Sequence, residues 1–345
     1  MDTRRIWICT FIRPLRGWLF AALLGAASVS AADPLRAVAS SIDPEAFFAA
    51  IVTVQARALP DARSAATLGS EREGSGVVIG KGGLILTIGY LIVEADDVRI
   101  IDDQGHVRPA RVVGYDHSTG LGLVQPIAPF DVAPLKLGDS SKIAESDPVL
   151  IVNHGGRDEA TRAVVVSRRP FTGSWEYLLE GAIFTSPPAL NWSGAALIGT
   201  DGSLLGVGSL IVRDASEGNP HLPGNMFVPI DALKPILSDL IKTGRRAGPA
   251  RPWLGLSADE VQGRLVVGRV SPEGPADRAG VQNGDIILAV AGEGVRSQAE
   301  FYRKVWGRGE AGSEIPLRIL QGIDVREIKV RSIDRTDYFR QKPTY

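Results

Sequence analysis

Four histidines, at positions 106, 117, 154 and 221, and a single cysteine, Cys9, bound the chemistry open to this 345-residue chain. Any imidazole proton transfer or histidine metal site must draw on those four. They are scattered and share no ligand spacing, so neither a metal nor a cofactor is expected. His106 follows Asp102-Asp103-Gln104-Gly105, a turn composition that places it in solvent. His154 and His221 fall in loops rich in Gly, Pro and Asn, and His117 lies in a loop between two strand-like runs. Lys plus Arg total 38 against 39 Asp plus Glu, a net charge of -1. That balance leaves no electrostatic footprint for nucleic acid.

The first 32 residues read as an address. Arg4, Arg5, Arg13 and Arg16 precede an apolar stretch over 17–29, and Ser30-Ala31-Ala32 supplies the small residues of a cleavage site. The stretch falls short of the roughly 20 residues that span a bilayer, so export with cleavage near Ala32 is expected. Removing that segment takes away four arginines, one aspartate and the cysteine, leaving 34 basic and 38 acidic residues and a net charge of -4. A cysteine-free chain has no disulfide, no thiolate nucleophile and no cysteine metal site. Its fold must rest on core packing, for which 44% hydrophobic and 22% charged residues are ordinary globular values.

The elements that must position any site are short and β-rich. Runs at 76–80, 84–87, 97–101, 108–113, 120–126, 148–152, 163–166, 177–184 and 204–212 are punctuated by Gly, Asp and Pro, which argues for a β-barrel or sandwich, and a pair of barrels fits the length. Over 229–242, apolar Ile230, Leu233, Ile236, Leu237, Leu240 and Ile241 recur at spacings of three and four and predict one closing helix. Positions 243–252 have linker composition. A second unit over 253–335 carries strands at 265–270, 286–290, 315–319 and 324–330 and a helix at 297–305. The expected organisation is a signal peptide over 1–32, an N-terminal segment over 33–50, a barrel domain over 51–242, a linker, the second unit, and a frayed tail over 336–345.

Three segments in order resemble the HtrA/Deg family, in which a chymotrypsin-like double β-barrel protease precedes a PDZ domain. They are Gly74-Ser75-Gly76-Val77-Val78-Ile79 with Gly83-Leu84-Ile85-Leu86-Thr87; Val113-Gly114-Tyr115-Asp116 through Thr119-Gly120-Leu121-Gly122-Leu123-Val124; and Asn191-Trp192-Ser193-Gly194-Ala195-Ala196-Leu197. The resemblance implies a mainly β fold: a trypsin-like double barrel followed by an α+β PDZ domain. It places the nucleophile at Ser193, the general base at Tyr90 and the base-orienting Asp at Gly120, and it puts Asn191 where an oxyanion-hole glycine belongs.

Three of those four positions depart from the family chemistry. A serine hydroxyl needs a base to take its proton and a third group to orient that base. A tyrosine with pKa near 10 is ionised only about one part in a thousand at neutral pH. Trp192 adds bulk beside Ser193, Ala195-Ala196 replaces Gly-Pro, and the segment from Thr185 to Ser193 is one residue short of the family pattern. His117, three residues before Gly120, is the remaining candidate base. Asn191-Trp192-Ser193 also matches a glycosylation sequon, a poor reading within a segment that resembles a protease core motif.

The second unit resembles a bacterial-protease PDZ domain through Trp253-Leu254-Gly255-Leu256 and Ser271-Pro272-Glu273-Gly274-Pro275-Ala276 to Gly284-Asp285-Ile286-Ile287. In such domains loop N–H groups hold a peptide carboxylate while a strand edge adds the peptide as a β-strand. Trp253, Leu254, Gly255 and Leu256 are the expected peptide-binding residues, with Leu254 and Leu256 shaping the terminal side-chain pocket. Gly280, Gly284 and Asp285 are read as turn scaffold.

The leading expectation is an exported, periplasmic pseudoprotease that binds peptides or C-termini of unfolded or envelope proteins, as scaffold, adaptor or chaperone-like holder. The alternative is an active serine endopeptidase using Ser193 with a non-standard base. The resemblance also implies a homo-trimer through N-terminal aromatics; Phe47 and Phe48 lie in that region, although adjacent aromatics commonly serve the core.

Overall fold

The computed structural model describes residues 48–173 and 175–340. The expected signal peptide, Phe47 and the last five residues lie outside them. Strands β1 (Ile51–Ala58), β2 (Glu71–Gly80), β3 (Leu84–Ile88), β4 (Ala95–Ile101), β5 (Val107–Tyr115) and β6 (Leu121–Pro126) close an antiparallel barrel in the order β1-β2-β3-β6-β5-β4. Strands β7 (Pro148–Val152), β8 (Thr161–Gly173), β9 (Tyr177–Ser186), β10 (Ala196–Ile198), β11 (Leu204–Val212) and β12 (Gly224–Pro229) close a second in the order β10-β11-β12-β9-β8-β7. Closure leaves neither sheet with a free edge.

A third sheet runs β13 (Leu256–Val261), β14 (Arg264–Val270), β15 (Ile286–Val290), β17 (Glu314–Gln321) and β18 (Asp324–Arg331), with β16 (Glu293–Gly294) beside β15. The helices are short: α1 (Ala65–Leu68), α2 (Leu237–Thr243), α3 (Pro275–Arg278), α4 (Gln298–Trp306) and α5 (Arg335–Tyr338). The strands β1, β10, β12 and β13 were not separately legible in sequence. β10 is three residues long, and β12 is a brief Met-Phe-Val run between Gly/Pro-rich segments, so neither shows a sustained period of two.

The single closing helix expected over 229–242 is broken. A 3₁₀ turn over Ile230–Ala232 is followed by a turn and then by α2. Pro235 is the cause: it has no N–H to donate, and its ring disfavours helical backbone before it. Ile230, Leu233, Ile236 and Leu240 still pack into the barrel core, whereas Ile241 is half exposed. α4 behaves as its sequence requires. Ser297 accepts a hydrogen bond from the Glu300 amide at 3.1 Å as its N-cap. Gln298, Phe301, Tyr302 and Val305, spaced three and four apart, are buried on one face.

The barrels meet along the segment that carries Ser193. The Ser75 amide in β2 donates to the Ser193 carbonyl at 2.7 Å. A Cβ added to Gly194 (φ +74°) would stand 1.9 Å from the Ser75 carbonyl, so only glycine fits this approach.

The tail is docked rather than frayed as far as residue 340. The Tyr338 ring packs on Trp253 with centroids 4.6 Å apart, and the Arg340 amide donates to Glu94 at 2.7 Å. Positions 243–252 are likewise tied down, because Arg246 forms two hydrogen bonds with Asp116 at 3.2 and 3.0 Å.

Candidate functional site

Tyr90, Gly120, Trp192 and Ser193 line one cavity of about 1210 Å³, which Gly255 and Leu256 also line. Asn191 stands apart from it. Its side chain is exposed and donates to the Glu159 carboxylate at 2.6 Å.

Tyr90 sits in a 3₁₀ turn, Gly89–Leu91, at the end of β3. Its hydroxyl donates to the Ser209 carbonyl at 2.9 Å. Burial pushes the phenol up to about 12, with Ser193 and Trp192 pulling more weakly the other way. A phenol so placed does not ionise near neutral pH, and its proton is directed at the Ser209 carbonyl. The Ser193 Oγ is buried and forms no well-aligned hydrogen bond among the described residues, its interaction with the Tyr90 hydroxyl being only the weaker one that pulls the phenol down.

Gly120 (φ +75°) leaves no carboxylate to orient a base. A Cβ there would stand in ordinary contact with the Tyr177 ring at 3.6 Å and Ile88 at 3.8 Å, so the positive φ rather than crowding is what favours glycine; the Tyr177 hydroxyl donates to the Thr119 carbonyl at 2.7 Å. His117 is packed between the rings of Tyr115 (4.4 Å) and Phe339 (5.4 Å) and lines a second cavity, not the one that Ser193 lines. Burial first, and then the charge of Arg335, hold its imidazole well below the usual histidine range.

One histidine contact escaped sequence reasoning. His154 Nδ1 lies 3.1 Å from Ser75 Oγ, and the same hydroxyl accepts from the His154 amide at 3.0 Å. His154 Nε2 stands 3.8 Å from a Glu73 carboxylate oxygen. The order Ser–His–Glu suggests a triad, yet Ser75 is fully buried, so no carbonyl carbon can reach its oxygen. These bonds join the loop after β7 to β2, one barrel to the other. No group of three or more His, Cys, Asp or Glu among the described residues is arranged to hold a metal ion.

In the loop over 253–256, Trp253 pairs its backbone with Ile333, Gly255 takes a left-handed φ of +76°, and Leu254 and Leu256 are buried. The Leu254 amide donates to Glu176 Oε2 at 3.0 Å and the Leu256 amide to Glu176 Oε1 at 2.8 Å. Glu176 belongs to the turn joining β8 and β9 of the second barrel. Burial raises its carboxyl to about 7, against the opposing pull of the loop amides and Arg335. No local pattern in Trp175-Glu176-Tyr177 pointed to this contact, which joins residues 78 positions apart.

Residues 74–207 match the trypsin-like peptidase domain family and residues 252–331 the PDZ domain family. A relative described as "Probable periplasmic serine protease do/HhoA-like" from Haemophilus influenzae is 28% identical over 275 residues, covering 75% of this chain and 57% of that protein. The "Periplasmic serine endoprotease DegP" of Salmonella typhimurium is 28% identical over 264 residues, covering 72% and 54%. This chain thus spans little more than half the length of these relatives.

Among solved structures, "HtrA-type protease AlgW with tripeptide" superposes with a TM-score of 0.51 at 21% identity, covering 89% of this chain and 98% of the other. The serine endoprotease from Yersinia pestis gives 0.51 at 23% identity, covering 87% and 97%. Two closed barrels, a five-strand path beyond them and these matches together identify the chain as a trypsin-like peptidase domain followed by a PDZ domain, on the HtrA-type fold.

Proposed function

We propose that this chain is an exported, periplasmic HtrA-like pseudoprotease that binds peptides or protein C-termini through its PDZ domain, serving as scaffold, adaptor or chaperone-like holder rather than as a hydrolase. The observation that carries the reading is a Ser193 Oγ with no well-aligned hydrogen bond, beside a Tyr90 phenol that donates its proton to a backbone carbonyl. General-base catalysis requires an acceptor within about 2.6–3.2 Å of the nucleophile's proton, and among the described residues none is in place. Gly120, with no side chain and a φ of +75°, supplies no carboxylate to orient a base. Export and a periplasmic location draw on the order of the first 32 residues and on the relatives being described as periplasmic.

The retained serine and the protease names of the relatives favour a second reading, a serine endopeptidase with a non-standard base. His117, its candidate base, is packed between two rings and lines a different cavity. The readings separate on one measurement. Purified protein should leave unfolded casein intact over hours and should not react with a fluorophosphonate probe. Casein cleavage or probe labelling that disappears in Ser193→Ala would overturn the pseudoprotease reading, and loss of labelling in His117→Ala would identify the base.

A further inference from the structure

The loop over 253–256, expected from sequence to bind peptide and leading into the edge strand β13, is filled from within this molecule. Glu176 presents both carboxylate oxygens to the amides of Leu254 and Leu256, at 3.0 and 2.8 Å. Two amides flanking a left-handed glycine and converging on one carboxylate is the way a backbone loop receives a peptide's terminal carboxylate. The end of β8, just before this turn, engages α4 as well. The Gly173 carbonyl accepts from the Tyr302 hydroxyl at 3.1 Å and from Gln298 Nε2 at 3.4 Å.

The apolar half of the site is also taken. Leu178, the second residue of β9, is only 5% exposed and packs into the PDZ core with Leu254, Leu256, Phe301, Tyr302 and Val305 rather than into its own barrel. Glu176 itself holds a φ of +52°, a region disfavoured for residues with a Cβ, so the turn adopts an unfavourable backbone to deliver its carboxylate. Arg335 clamps the turn from outside, donating to the Trp175 carbonyl at 2.7 Å.

We propose that Glu176 and Leu178 form an internal pseudo-ligand, a carboxylate and an apolar side chain that occupy the PDZ carboxylate loop and its pocket, so that an incoming peptide C-terminus binds only by displacing the β8–β9 turn. For its ligand this rests on the peptide-binding reading above; for its geometry it does not. The displacing ligand has a free α-carboxylate and a leucine-like terminal side chain, the two features that the turn supplies from separate residues. Occupancy in cis lowers apparent affinity in proportion to the fraction of molecules that are open.

The test measures binding of a dye-labelled peptide ending in Val-Leu, as free acid and as amide, to the full chain by fluorescence anisotropy, together with amide exchange at Leu254 and Leu256. Glu176→Ala should tighten free-acid binding at least tenfold, the value for a loop plugged in about nine of ten molecules, while the amide stays weak. Glu176→Gln, which keeps one acceptor oxygen, should fall between and covers the case in which Glu176→Ala folds poorly. Equal free-acid affinity in the unsubstituted chain and Glu176→Ala would overturn the pseudo-ligand. If neither binds the peptide, the peptide-binding reading fails and exchange decides the plug. Faster exchange confined to Leu254 and Leu256 in Glu176→Ala then supports it, and unchanged exchange overturns it.

Discussion

Ser193 and the carboxylate loop contribute to one cavity, yet they stand in opposite conditions. At Ser193 the hydroxyl is present and a base with its orienting acid is not: Tyr90 donates to the Ser209 carbonyl, and Gly120 offers no carboxylate. At Leu254 and Leu256 the donors are present, aimed and already paired with Glu176. A catalytic triad fails when any one of three positioned groups is missing, because its members act as a unit. A backbone cradle has no side chain to lose; only its glycine and its loop geometry must survive. On the pseudoprotease reading proposed above, divergence erases a triad more readily than a backbone cradle.

That contrast can be tested in order of expected effect. The largest concerns the cleft. Restoring a histidine alone should restore nothing, since Tyr90→His would still lack an orienting acid and Asn191 remains tied to Glu159. Loss of a triad base costs on the order of 10⁶ in kcat in subtilisin, the handicap expected here relative to an intact site. Fluorophosphonate labelling of Tyr90→His should stay at the level of Ser193→Ala, and a rise of several orders of magnitude would break the comparison.

Next comes the contact that ties barrel to PDZ. Leu178→Ala should destabilise the protein by about 2–5 kcal/mol, the range for a buried leucine, read as a lower urea midpoint. A smaller loss would mean that the turn is only loosely seated.

The pH dependence of Glu176 follows from its carboxyl being raised to about 7 against 4.5 in the unfolded chain. Between those values the folded protein holds the proton and the unfolded one does not. Unfolding free energy should therefore be fullest below about pH 4.5 and decline as pH climbs through 7, by as much as about 3 kcal/mol. The groups facing it are Arg335, whose charge favours the carboxylate, and Tyr302, whose own hydroxyl is pushed up by burial and then by Glu176. Urea titrations at pH 5 and pH 8 should differ less in Glu176→Gln than in the unsubstituted chain. The smallest effect is local: Ser297→Ala should remove the α4 cap for about 1 kcal/mol and speed amide exchange in α4 while leaving both barrels protected.

Much of this was legible in the residues. Most barrel strands announce themselves as short apolar runs between turn residues, and β7, β11 and β15 begin and end where the pattern puts them. The position of Ser193 in its segment and of Tyr90 after β3 were likewise readable. Pro235 carried a warning that the spacing of Leu233, Ile236 and Leu240 concealed, because periodicity records which face is apolar and not whether the backbone can stay helical. Glu176 and His154 were not readable at all. Each is an ordinary polar residue in a turn or loop, and each acquires its role from a partner more than 70 positions away.

The sequence by itself carried the barrel strands and the PDZ unit, since periodicity and residue type are local properties, and its resemblance to the HtrA/Deg family implied that Tyr90 and Gly120 stand at the base and acid positions. Only the tertiary structure decided that the Tyr90 hydroxyl turns to the Ser209 carbonyl, that Ser75 is too buried to be a nucleophile, and that the PDZ loop closes on a carboxylate of its own chain. Those outcomes depend on closing loops of tens of residues and excluding water from the contact, and no stretch of neighbouring residues encodes them.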